Sequence, residues 1–307
     1  MNDATSKAVE VSEHVPTSHG AASPPAEHAH VISSDEEAIA IAEDLRVRFL
    51  ADAGARDKHR RLPFDEVDLF SQSGLWGITI PKAYGGAGVS QTTLAKVFTL
   101  LASADASLAQ MPQSHFEIID VIRLTGSEEQ KKDLFGKVLA GNRLGNAFSE
   151  FKGKTVEDMK TRLVREGDDF LVSGEKFYST GALFAHLVPI VALDESGHVF
   201  VAVADRAASG LTVIDDWSSF GQRTTASGTV LLENVRVAAS RVLPAHIVYE
   251  HPSAVGPQSQ IIHAAIDLGI AQHAIDTTID LLNTYARPWI DSGQERATDD
   301  PYTIAAI

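Results

Sequence analysis

The chain has 307 residues, 44 % hydrophobic and 22 % charged, with a formal net charge of −15 and no cysteine. That length supports two or three domains around a sizeable core. So acidic a surface disfavours nucleic acid and anionic membranes as partners, and the lack of cysteine removes disulfides, thiolate nucleophiles and cysteine metal sites.

The first thirty residues are rich in Ser, Pro, Ala and His, without the apolar stretch of a signal peptide. They read as a disordered tail through residue 32. His14, His19, His28 and His30 sit there and carry no more than adventitious metal affinity. No apolar run approaches the roughly 18 residues a membrane span needs, and a cytoplasmic location is expected.

Ser34 followed by Glu37 is a capping box, and Ala38, Ile41, Ala42, Leu45 and Phe49 recur behind it at helical spacing. A short helix is predicted after Pro63, through Val67 and Phe70, stopping at Gly74. Ser73 to Gly88 (SGLWGITIPKAYGGAG) reads as a helix stop, an extended apolar piece and a glycine-rich turn. No βαβ unit follows it, which argues against a Rossmann loop. Helices are predicted over Leu94 to Leu101 and Leu108 to Leu124, and a further one capped by Ser127 and Gln130 ends near Gly141. The pattern changes after Asn142. Short β-branched or alternating runs follow at 161–164, 170–172, 188–192, 199–203 and 229–232, and they predict an antiparallel β domain. Beyond Pro257 the helical period returns, with Ile261, Ala264, Ala265, Leu268, Ala271, Ala274 and Ile275 predicted to line a buried helix to about Tyr285. The fold class is α+β. The predicted division is a tail 1–32, a helical domain 33–141, a β-barrel-like domain 142–240 and the start of a C-terminal helical domain 241–307.

Several strings, in order, resemble the acyl-CoA dehydrogenase superfamily over about residues 33 to 307: GLWGITIPKAYGGAG, Asn146-Ala-Phe-Ser-Glu150, Gly174-Glu-Lys-Phe-Tyr-Ser-Thr-Gly181, Phe220-Gly-Gln-Arg223 through Val237, and Gly269-Ile-Ala-Gln272. The dehydrogenases' Gly-Ser-Asp continuation is replaced by Phe151-Lys-Gly-Lys-Thr155. Their catalytic glutamate is absent at one family position, where Ser259 and Gln260 stand, and neither can act as a carboxylate base. Asp216-Trp217, Gly221-Gln-Arg-Thr-Thr-Ala-Ser-Gly228 and Arg287-Pro-Trp289 look like the reduced-flavin monooxygenases typified by dibenzothiophene monooxygenase.

That resemblance implies oxygenation of a small organosulfur compound of sulfone, sulfoxide or thiophene type. Reduced FMN would come from a separate NAD(P)H-dependent flavin reductase, and the reaction would pass through a flavin hydroperoxide. FAD is the alternative cofactor, an acyl-CoA dehydrogenase-like FAD enzyme the alternative activity, and an inactive family member the third reading. It also implies a homotetramer completed by a helical bundle of which the chain reaches only the start, so that the 307 residues alone are expected to be poorly soluble or inactive.

The resemblance places Ser149 and Thr180 beside the flavin ring, each with a hydroxyl, although either equally serves as a strand-end hydroxyl satisfying a turn. Asn146 offers its amide to flavin or substrate, or forms a turn. Tyr178 packs on the flavin face or in the core. Trp217 walls the pocket or simply packs, and Arg223 faces the flavin phosphate or a structural carboxylate. His115, in an apolar helix, is a candidate for catalysis near the substrate cavity or a structural histidine. Lys152 and Lys154 form a solvated loop or a phosphate contact. No metal site is expected: His263 and His273 lie on different turns of one helix, and His246 and His251 have only Glu250 nearby.

Overall fold

The structure is a computed structural model and describes residues 17–18, 29–151, 158–250 and 252–306. His14, His19, His28, Lys152, Lys154 and His251 lie outside the described residues, as does most of the expected tail. Within that tail, Thr17–Ser18 (β1) pairs with a later strand. The His30 amide donates to the Gln72 carbonyl at 2.9 Å, and Ile32 is buried. Packed structure therefore begins before the expected boundary.

Seven helices come first: α1 (Asp35–Leu50), α2 (Ala53–His59), α3 (Phe64–Gln72), α4 (Gln91–Ala102), α5 (Ala106–Gln110), α6 (Gln113–Thr125) and α7 (Glu128–Leu139). Ser34 caps α1 by accepting the Glu37 amide. The Glu37 carboxylate returns to the amide and hydroxyl of Ser33 rather than to Ser34, so the capping box is shifted by one residue. In α7 both halves of the box are present. The run from Leu108 to Leu124 is two helices, broken at Met111–Pro112, where proline cannot donate an amide.

Short α2 has no apolar period that would announce it. Its buried Arg56 pairs with Glu66 and Asp105, both at 2.9 Å, and so ties α2 to α3 and to the cap of α5. Residues Ser73 to Gly88 form two 3-10 turns, Leu75–Gly77 and Lys82–Tyr84, in place of the predicted extended piece. The glycines there serve close packing. A Cβ at Gly86 would fall 2.2 Å from the Ile80 carbonyl oxygen.

The other strands are β2 (Arg162–Glu166), β3 (Asp169–Lys176), β4 (Leu187–Leu193), β5 (Val199–Asp205), β6 (Leu211–Asp215), β7 (Val230–Ala238) and β8 (Val242–Leu243). Their order is β1-β6-β7-β3-β2-β4-β5-β8. The sheet is mixed, which corrects the antiparallel expectation. β2 meets β4 in parallel, and Leu144 and Ala147 bridge to Leu187 and Ile190 in the same sense. The strand order is open rather than that of a closed barrel, and β8 carries the sheet past the expected boundary at 240.

After α8 (Ile247–Glu250) comes the long α9 (Val255–Thr284), then α10 (Pro301–Ala306). The buried stripe of α9 is Val255, Gln258, Ile262, Ala265, Ile266 and Gly269. Ile261, Leu268 and Ile275, predicted to be buried, are 49 %, 57 % and 49 % exposed. The helix is apolar on several sides, so its period alone does not choose the face. The choice is made by Gly269, which packs directly on α4. Among the described residues no helix is long and apolar enough to cross a membrane.

Candidate functional site

Three segments that are far apart in sequence meet at the end of β3. The first is 146–150. Asn146 Oδ1 accepts the Phe148 amide at 3.0 Å, an Asx turn that bends the chain out of its bridge to β4. The second is 177–181, which leaves β3 with Tyr178 in the left-handed region (φ 56) and Gly181 at φ 75. The Phe177 amide donates to the Ser149 carbonyl at 3.0 Å, which joins the two segments.

Beneath this junction lies a buried ion pair. Lys176 Nζ is 3.0 Å from Glu150 Oε1 and 3.0 Å from the Phe148 carbonyl. Burial alone would raise the Glu150 carboxyl. Donors from Thr161, Lys160 and Lys176 overcome that and hold it at about 2. For Lys176 burial dominates and its pKa is lowered. The pair anchors the two loops and does not face a ligand.

The third segment is 216–229. Asp216 accepts the amide and hydroxyl of Thr229, at 2.8 and 2.7 Å. The Ser179 amide donates to the Gly228 carbonyl at 3.2 Å. Gly228 has no room for a side chain, since a Cβ would sit 2.2 Å from Asp216 Oδ1. This approach brings Ser227 Oγ to 2.7 Å from Thr180 Oγ1. Trp217 Nε1 donates to the Gln222 carbonyl at 3.1 Å, and its ring meets Tyr178 edge-on at 5.9 Å. Tyr178 also stands against Phe177 at 4.8 Å and is 49 % exposed. Half-exposed aromatic rings beside paired hydroxyls suit a flat heterocycle with polar edges.

Among the sequence candidates, Asn146, Ser149, Tyr178, Thr180 and Trp217 thus lie on the converging segments. Arg223 follows Gln222 in the same loop, half-buried, with no carboxylate within ion-pair distance among the described residues. His115 does not join them. Its Nε2 is 2.8 Å from the Trp76 carbonyl, and its Nδ1 accepts the Leu144 amide at 3.1 Å. The ring is fully buried, and burial drives its pKa down to about 3. Neutral and saturated on both nitrogens, it has no proton to exchange with a ligand. The reading of His115 as catalytic is corrected to that of a clamp between the α3–α4 connection and the 144–147 segment.

Sequence reasoning passed over Ser227 and Thr225, although the hydroxyl-rich Thr-Thr-Ala-Ser between two glycines was visible. It also passed over Glu117. Gln113 Nε2 donates to Ser259 Oγ at 2.7 Å, and Ser259 Oγ donates to Glu117 Oε2 at 3.4 Å. His263 Nδ1 donates to the Ser259 carbonyl at 3.0 Å. Burial raises the Glu117 carboxyl above its ordinary range. This cluster is close in sequence to Met111, whose carbonyl oxygen would lie 3.2 Å from a Cβ on Gly181. No spacing in sequence connects 117 with 259.

A helical block, a mixed sheet and a return to helix, with three loops gathered at one strand end, define an acyl-CoA dehydrogenase fold. The family model for the acyl-CoA dehydrogenase N-terminal domain matches residues 36–142. Dibenzothiophene monooxygenase of Rhodococcus erythropolis is 33 % identical over 286 residues, covering 89 % of this chain and 68 % of that protein. The probable FMNH2-dependent monooxygenase SfnC of Pseudomonas putida is 29 % identical, covering 90 % of this chain and 70 % of that protein. The FMN-bound TdsC of Paenibacillus sp. A11-2 superposes with a TM-score of 0.82 at 29 % identity, covering 87 % of this chain and 70 % of that one. The chain belongs to the monooxygenase branch of the acyl-CoA dehydrogenase superfamily.

Proposed function

We propose that the protein oxygenates a small organosulfur compound with reduced FMN delivered by a separate NAD(P)H-dependent reductase. The observation that carries this reading is the Thr180–Ser227 hydroxyl pair beside the open face of Tyr178 and Trp217. These residues fit a flavin: flat rings to pack on it, hydroxyls for its polar edge, and the uncommitted cation of Arg223 for its phosphate. Reduced flavin supplies two electrons to dioxygen, one oxygen atom passing to substrate sulfur and the other leaving as water. The chain's part is to seat the ring, orient its edge with Thr180 and keep water from the reacting face. Ser149 and Asn146 border the same edge.

Anaerobic titration with FMN and FAD in both redox states tests the cofactor. Turnover with dibenzothiophene, NADH, an independent flavin reductase and air tests the reaction, read as sulfoxide or sulfone by chromatography. Tight binding of reduced FMN and oxygenated product support the reading. Stoichiometric binding of oxidised FAD with no oxygenated product refutes it.

An acyl-CoA dehydrogenase-type reaction on FAD is the second reading, and Glu117 is what favours it. This carboxyl reaches Ser259 from α6 and could supply the base that the sequence of α9 lacks. Homotetrameric assembly belongs to the main proposal, and would cover Ile261, Leu268 and Ile275. Sedimentation measures it.

A further inference from the structure

The hydroxyl of Thr180 is the end of a chain of hydroxyls that runs into the protein. Thr180 Oγ1 is 2.7 Å from Ser227 Oγ, Ser227 Oγ is 2.8 Å from Thr225 Oγ1, and Thr225 Oγ1 is 3.1 Å from the Gln222 carbonyl. Ser227 and Thr225 are buried. Ala226 between them is left-handed (φ 48), as is Gln222 (φ 47), and this turn folds the two hydroxyls onto one another.

A hydroxyl has one proton to give, and the chain ends on a carbonyl, which can only accept. When Thr225 donates to Gln222, Ser227 donates to Thr225, and Thr180 donates to Ser227. All the bonds are then made, and the Thr180 oxygen faces outward with its lone pairs. Reversing the direction would break the Thr225–Gln222 bond, leaving Trp217 Nε1 as that carbonyl's side-chain donor. The other acceptor near Thr180 is the Tyr178 carbonyl at 3.5 Å, too long to compete. The inward direction is therefore favoured by one buried hydrogen bond, roughly a three- to tenfold preference.

Resting on the flavin reading above, we propose that Ser227 and Thr225 are positioning residues that turn the Thr180 proton inward, so that Thr180 meets the flavin as an acceptor and selects its reduced form. The flavin ring atom N5 carries a lone pair when oxidised and an N–H when reduced. An acceptor-only hydroxyl opposite N5 bonds the reduced ring and faces the oxidised one lone pair to lone pair. A protein that must capture reduced flavin and release oxidised flavin needs that asymmetry, and a tightly held redox cofactor does not.

The test is the ratio of dissociation constants for oxidised and reduced FMN, by anaerobic titration of the full chain, for wild type, Ser227→Ala and Thr225→Val. Either substitution frees Thr180 to donate. The ratio is expected to fall by roughly three- to tenfold in both variants. The two-electron midpoint potential of bound FMN should drop accordingly, by about 30 mV per tenfold. A purely structural role would weaken both states equally and leave ratio and potential unchanged, and that result overturns the relay while leaving the flavin reading intact. No binding of either state by wild type overturns both.

Discussion

His115 Nε2 lies 2.8 Å from the carbonyl oxygen of Trp76 while its Nδ1 accepts the amide of Leu144. One ring thus pins the connection after α3 to the segment that opens the sheet. The Leu144 N–H can donate only to an unprotonated nitrogen, so the neutral form is built into the fold.

That geometry sets a pH dependence. The His115 pKa falls from 6.5 to about 3 on folding because burial penalises the cation. Below 6.5 the unfolded chain takes up a proton that the native state refuses, so stability is lost as pH falls. The slope approaches about 1.4 kcal/mol per pH unit. His115→Gln keeps a donor and an acceptor but does not titrate. Urea unfolding at pH 7.5 and pH 5 should show a smaller difference for the variant than for wild type. Equal differences would mean that the ring is not held neutral.

Lys176 and Glu150 lie under the two loops that frame the site. Glu150 is held at about 2, below its ordinary 4.5, so its contribution is present above 4.5 and is lost as pH falls towards 2. Lys176→Met leaves a buried carboxylate without its cation, and the expected loss is about 3–5 kcal/mol. Denaturant titration at neutral pH measures it, and flavin binding should fall with it because the 146–150 loop loses its anchor. Full stability would show that the amides of Lys160 and Thr161 suffice alone.

Glu117 separates the two functional readings. Its carboxyl is raised from 4.5 by burial, with Ser259 and Gln113 only partly offsetting that. Such a group contributes fully below 4.5 and becomes a liability as pH rises through its folded value. Glu117→Gln should therefore be at least as stable as wild type at pH 8, with the difference vanishing at pH 4. Oxygenation of dibenzothiophene should persist within about tenfold, whereas an acyl-CoA dehydrogenase-type reaction would lose several orders of magnitude without its base.

The helix starts and the site loops were legible because their signals are local. Ser34 and Ser127 cap helices wherever they are packed, and Asn146, Thr180 and Trp217 stand in short strings whose resemblance fixes their neighbourhood. What escaped depends on contacts distant in sequence. Nothing near residue 115 says that its ring meets the carbonyl of Trp76 and the amide of Leu144. Nothing near 227 says that its hydroxyl meets Thr180, and β2 beside β4 in parallel is a property of the assembled sheet. The face of α9 was misjudged for the same reason. Where apolar residues surround a helix, close approach decides burial, and a glycine without a Cβ leaves no mark in a hydrophobic period.

Gly269 allows that misjudged face to be tested. A Cβ at this position would lie 2.3 Å from the Thr99 carbonyl oxygen and 2.7 Å from Ala102 Cβ, so α9 must move away from α4 to admit one. Gly269→Ala should destabilise by about 1–3 kcal/mol despite the better helix propensity of alanine, and Gly269→Val by more. Leu268→Ala, one residue away, removes a larger side chain that is 57 % exposed. Its effect on the monomer should stay within about 0.5 kcal/mol. Chemical denaturation of the variants gives the order directly. If Leu268→Ala proved the more damaging at a protein concentration where the chain is monomeric, the packed face of α9 would be the one its sequence suggests, and the α4–α9 contact through Gly269 would be wrong.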